Sequence, residues 1–199
     1  MYFNAFKTVE PIVTNIITLA DAKQHCRVTT TAEDQWFTDY IPKITDRIER
    51  VTQRQLFTAT YRLQTQKLPD DYRYSLPHPP LISVSEFGFV VADGNTTITQ
   101  TANAESWYVV DGKTPAELVF SPDKLTTDLA NLDIEANYVE YIAGYGNTVG
   151  DLPEWVPDFA LKIMAIAYAN RAGLEGNTLS NPFIKIENEL LQYRLEVNG

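Results

Sequence analysis

The chain has 199 residues, 44% hydrophobic and 21% charged, with a formal net charge of −10 at neutral pH. That length suits one domain with a sizeable core, or a core carrying a large insertion. No apolar run reaches the roughly eighteen residues of a transmembrane helix, and the opening MYFNAFKTVEP lacks the apolar stretch and cleavage site of a signal peptide. The single cysteine, Cys26, allows no disulfide within the chain and fits a reducing compartment, so synthesis in the cytosol is expected.

The charge is unevenly spread. Residues 1–60 hold seven basic and seven acidic groups, residues 61–150 five against twelve, and residues 151–199 four against seven. Sequence-independent nucleic-acid binding needs clustered Lys and Arg to displace counterions, and the acidic middle argues against it. A surface past which DNA slides without sticking stays open.

The first predicted element is a helix over TLADAKQHCRV. Thr18 and Asp21 have capping-box spacing, and Leu19, Ala22 and Cys26 recur at helical steps. A longer helix follows over TAEDQWFTDYIPKITDRIERVTQRQL, with Thr31 as its cap and Glu33 and Asp34 in the first turn, where the helix dipole favours acids. Phe37, Tyr40, Ile41, Ile44, Ile48 and Val51 mark its buried face, and Pro42 should interrupt its hydrogen bonding. After Leu56 the period shortens to two. TATYRLQTQKL places Tyr61, Leu63 and Thr65 on one side, ISVSEFGFVV is a second strand, and DGN at 93–95 turns into TTITQ. WYVVDG, ELVF and IEANYVEYIAGYG complete a β-rich middle of short strands, which predicts an antiparallel sandwich or small barrel.

Helix returns at PDFALKIMAIAYANRAG, apolar on nearly every side and therefore buried, with Pro157 in its first turn and Gly173 at its C-terminal cap. A last helix over NPFIKIENELLQYRLE has Asn181 as its cap. The expected fold is therefore α+β: a small helical body of residues 1–56 and 143–199, with a β-rich antiparallel lobe over 57–142 inserted between its halves.

Chemistry-bearing clusters are few. His25 and Cys26 are adjacent and point apart on a helix, His78 lies among prolines, and these three fall short of a four-ligand zinc site. Asp70, Asp71, Asp123, Asp128 and Asp133 could supply a hydrolytic carboxylate pair, although solvated turns explain them as well. AGYGNTVG lacks the lysine and spacing of a phosphate cradle, so its glycines are read as a sharp turn towards the next helix. No cofactor or metal is implied. Lys43, Arg47, Arg50 and Arg54 form a basic stripe beside the apolar face of the long helix, with Trp36 on the same side. The stripe reads either as a solvated face laced with intrahelical pairs or as a charged contact with an acidic neighbour.

Taken in order, these stretches resemble the head–tail connector, or adaptor, proteins of tailed bacteriophages, also found in prophages and gene transfer agents. The resemblance rests on LADAKQHCRV followed by TTAEDQWFTDYIPKITDRIERVTQRQLFTATYRL, on the proline-rich corner SLPHPPLISVSEF, and on YIAGYG with the late AYANRAG helix. It implies a non-enzymatic virion protein of the neck, made in the host cytoplasm, that forms a ring of about twelve copies beneath the portal, as closed cyclic symmetry allows. Such a ring extends the DNA channel, encloses but does not specifically bind double-stranded DNA, touches no membrane, and docks a stopper or tail-completion protein. A stopper or tail-completion role, and a small hydrolase using acids of the β lobe, are the alternatives.

The resemblance also implies that the proline corner fixes the lobe against the body. The assembly interface is expected at Trp36, Lys43, Arg47, Arg50 and Arg54, and at Phe183, Ile186, Leu190 and Leu191 of the last helix. That helix reads either as a partner-binding element or as one that packs on its own chain.

Overall fold

The protein is described by a computed structural model over residues 4–9, 15–66, 71–91, 97–100, 107–110, 114–121, 133–171 and 182–194. The chain divides into two compact units, residues 1–12 with 57–145 and residues 13–56 with 146–199. Each is taken in turn.

The helical unit contains α1 (Leu19–His25), α2 (Asp34–Thr52), α3 (Trp155–Ala169) and α4 (Pro182–Leu190), with a single 3₁₀ turn after α4 over Leu191–Tyr193. Thr18 and Asp21 form the expected capping box: Thr18 Oγ1 accepts from the Asp21 N–H at 3.1 Å, and Asp21 Oδ2 accepts from the Thr18 N–H at 3.3 Å. The expected cap of α2 is displaced. The helix begins at Asp34 behind Glu33, whose side chain makes no capping bond, and Thr31 contributes only its carbonyl to the Asp34 N–H. Phe37, Ile41, Ile44, Ile48 and Thr52 form the buried face, while Tyr40 and Val51 are half-buried. Pro42 lies inside α2, which continues through it, and Gln53 ends the helix in the left-handed conformation at φ 57°.

Against this face packs α3, where Val156, Ala160, Ile163 and Met164 are fully buried. It begins two residues before Pro157 and closes at Asn170; Gly173 and Asn181 lie outside the described residues. α1 packs on α2 and α3, and so does α4, through Ile186 and Leu190. Among the described residues, no helix is long and apolar enough to cross a membrane.

Among the described residues, the β unit holds two antiparallel sheets. The larger has the order β1 (Asn4–Val9), β2 (Ala59–Thr65), β8 (Ile134–Ala143), β4 (Leu81–Val91), β5 (Thr97–Gln100). The smaller has the order β3 (Arg73–Ser75), β7 (Glu117–Phe120), β6 (Trp107–Val110). Strict alternation along β2 buries Ala59, Tyr61, Leu63 and Thr65, which pair with Ala143, Tyr141, Val139 and Asn137 of β8. Tyr74, Leu118, Phe120 and Trp107 of the smaller sheet join the same core, so the two sheets form the layers of a sandwich.

On β4 the alternation breaks. Register shifts between Leu81 and Ser83 and between Val84 and Glu86 insert an extra residue each time. Without them Val84 and Phe87 would face opposite sides; with them Leu81, Val84, Phe87 and Phe89 all pack on the core.

One placement differs from the sequence reading. The N-terminal segment, expected in the helical body, belongs to the β unit because β1 pairs with β2, Ala5 opposite Leu63 and Lys7 opposite Tyr61. The proline corner connects β3 to β4 and so carries the chain from the small sheet to the large one. Within the β unit, the Tyr141 hydroxyl donates to the Pro77 carbonyl at 2.8 Å, and the Gly144 N–H to the Pro80 carbonyl at 2.9 Å. His78, at φ 60°, stacks on the Tyr61 ring at 4.5 Å. The turn expected at 93–95 lies outside the described residues.

Candidate assembly interface

The basic stripe is split by its surroundings. Helical geometry places Arg47 beside α4, where its guanidinium contacts Glu187 Oε1 from Nη2 at 2.8 Å and from Nε at 2.9 Å. The same guanidinium lies 4.3 Å from the Phe183 ring centroid. Arg54 Nε donates to the Tyr193 carbonyl at 2.8 Å. These two arginines therefore tie α4 and the 3₁₀ turn after it to α2 and the residues that follow it. Lys43 and Arg50 are exposed, and neither forms an ion pair among the described residues. With Tyr40, Asp46 and Arg47 they line a groove of about 350 Å³. Lys43 Nζ sits 5.7 Å from the Tyr40 ring centroid, which lines the groove with an aromatic face.

Trp36 is occupied within its own unit. It stacks on Tyr40 at 5.1 Å and meets Tyr168 of α3 edge-on at 5.6 Å. The last helix is likewise committed on one side. Ile186 and Leu190 are buried, and Tyr193 stacks on Trp155 at 4.3 Å. On the other side Ile184 and Leu191 are 45% and 43% exposed. Ile184 lies on α4 and Leu191 in the 3₁₀ turn after it. Of the residues expected at an interface, the structure thus leaves Lys43, Arg50 and Leu191 facing outward and uses Ile186 and Leu190 inside. Ile184, an apolar residue of the same helix, joins the outward group.

His25 is exposed, and burial pushes the Cys26 thiol up, away from the thiolate an activated nucleophile needs. Among the described residues, no three His, Cys, Asp or Glu side chains gather as metal ligands would. Asp71 and Asp133 are exposed, while Asp70, Asp123 and Asp128 lie outside the described residues. AGYGNTVG closes β8 and leads into a 3₁₀ turn over Val149–Asp151, where Thr148 and Asp151 cap each other. The Thr148 N–H and hydroxyl hold the Asp151 carboxyl below its ordinary range.

With this geometry in view, comparison with known proteins is specific on one segment. Residues 16–80 match the family model described as "Phage gp6-like head-tail connector protein". The segment runs from α1 to the proline corner and so includes the whole of α2 and its groove. At the level of fold the likeness extends to the full chain. A chain in a structure titled "Neck of empty GTA particle computed with C6 symmetry" is 20% identical with a TM-score of 0.69. A chain from "Virion of native gene transfer agent (GTA) particle" is 20% identical with a TM-score of 0.68, and one from "Neck of native GTA particle computed with C12 symmetry" is 19% identical with a TM-score of 0.61. Each alignment covers 100% of this chain and 98% of the other. No curated protein matches the chain.

Proposed function

We propose that this protein is a structural head–tail connector that works in the neck of a tailed-phage or gene-transfer-agent particle, as one subunit of a ring around the DNA channel. The observation that carries the reading is the match of residues 16–80 to a connector family, on the segment that builds α2 and its outward groove. A fold alike from end to end with chains of neck and virion assemblies supports it. In this reading the ring sits beneath the portal and receives a stopper or tail-completion protein on its other side. The net charge of −10 suits a channel wall along which duplex DNA moves without adhering.

Deleting the gene from a phage or inducible prophage that encodes it tests the proposal. The expected lysate contains DNA-filled heads and separate tails, and supplying the gene in trans restores joined particles. Normal particles at wild-type yield from the deletion strain would overturn the reading.

A further inference from the structure

The groove on α2 has the chemistry of a socket for carboxylates. Lys43 and Arg50 stand on its rim seven residues apart, about 10 Å along the helix axis at 1.5 Å per residue. Both are exposed, and Asp46 between them neutralises only part of their charge. Arg47 is held in place by Glu187 and Phe183, so the groove is preformed by contacts inside the helical unit. The exposed Ile184 on α4 and Leu191 in the 3₁₀ turn after it provide an apolar flank of the same unit.

A ring built from identical copies needs two different, complementary patches on each copy, because a head-to-tail contact joins unlike surfaces. The β unit supplies the complementary charge. Residues 1–12 and 57–145 carry six basic and thirteen acidic groups, a net of −7. Among its described residues Asp71, Asp133 and Glu135 are exposed acids.

We infer that the Lys43–Arg50 groove receives an acidic segment of the β unit of a second copy, and so forms the copy-to-copy contact of the ring. This rests on the connector reading and names the partner of that surface. The contact is charge-driven at its rim, so salt weakens it as the Debye length shortens from about 10 Å at 0.1 M to about 3 Å at 1 M.

The test compares self-association of the full chain and of Lys43→Glu/Arg50→Glu by sedimentation velocity at low and high salt, with circular dichroism as the check on folding. Arg47 is left unchanged, because its reversal would also break its contact with Glu187 of the same chain. The charge-neutral Lys43→Gln/Arg50→Gln is measured beside it, in case reversal perturbs the helix. The expected result is concentration-dependent, salt-sensitive association of the wild type, weakened at least tenfold in both variants while the fold is kept. Association equal in wild type and variants, or indifferent to salt, would overturn the inference. A wild type that stays monomeric at every concentration would overturn it too, by assigning the groove to a different protein. Salt-sensitive binding of duplex DNA by the wild type, lost in the variants, would reassign the groove to phosphates. Because the gene deletion reports on particle joining alone, failure here leaves the connector reading standing, and failure there removes both.

Discussion

Gly144 shows how one residue carries the end of the β unit. Its φ of 128° lies where L side chains are strained, and a Cβ built on it would stand 2.7 Å from the Phe57 carbonyl carbon and 2.8 Å from the Thr58 nitrogen. Neither backbone atom can move without disturbing the start of β2. Gly144→Ala should therefore destabilise the protein by about 2 kcal/mol or more, as strained positive-φ substitutions do. Urea denaturation measures this, and an unchanged midpoint would show that the turn relaxes freely.

The tyrosines set the alkaline limit. Burial raises the phenols of Tyr74 and Tyr141 well above their ordinary value near 10. Each prefers the protonated form when folded, so its stabilisation is full below pH 10 and is lost as the pH rises towards the folded value. Stability should fall by up to about 1.4 kcal/mol per pH unit for each such phenol above that point. Tyr141→Phe should make the fall shallower, and should cost about 1 kcal/mol at neutral pH by leaving the Pro77 carbonyl without its donor. A decline of equal slope in the variant would contradict the assignment.

Among the elements, α4 is the one whose role the structure sharpens. Its sequence is apolar on two sides, and periodicity alone left open whether it packs on its own chain or on a partner. Ile186, Leu190 and Tyr193 settle one side as internal packing, through α2, α3 and Trp155. Removing residues 182–199 should uncover Trp155 and part of the α3 surface and lower the melting temperature clearly, with aggregation following. A truncated protein that melts like the wild type would return α4 to the partner-binding reading.

Elements with unbroken periodicity were the legible ones. The buried face of α2, the alternation of β2 and the Thr18–Asp21 box all follow from spacing over a few residues. β1 and β3 were not read, because six residues near a terminus and three beside a proline corner carry too little pattern to stand out. β4 was recognised as a strand, but its faces were not, since two bulges change which residues point inward. The groove was half legible. Spacing placed Lys43, Arg47, Arg50 and Arg54 on one stripe, but only the tertiary structure pairs Arg47 with a residue 140 positions away.

For the whole molecule, the division of labour follows charge and secondary structure together. A helical unit carries a basic groove with an apolar flank, and a β unit carries most of the net negative charge, −7 of −10, around a sandwich core. Two surfaces of opposite character on one chain are what a closed ring requires of each copy. The most direct measurement of this account is a cryo-electron microscopy reconstruction of the neck of particles that carry this chain. The account predicts a closed ring of about twelve copies beneath the portal, each fitting the α+β fold described above and surrounding the DNA channel. A neck reconstructed without this chain, or the chain found as a single copy away from the channel, would contradict it.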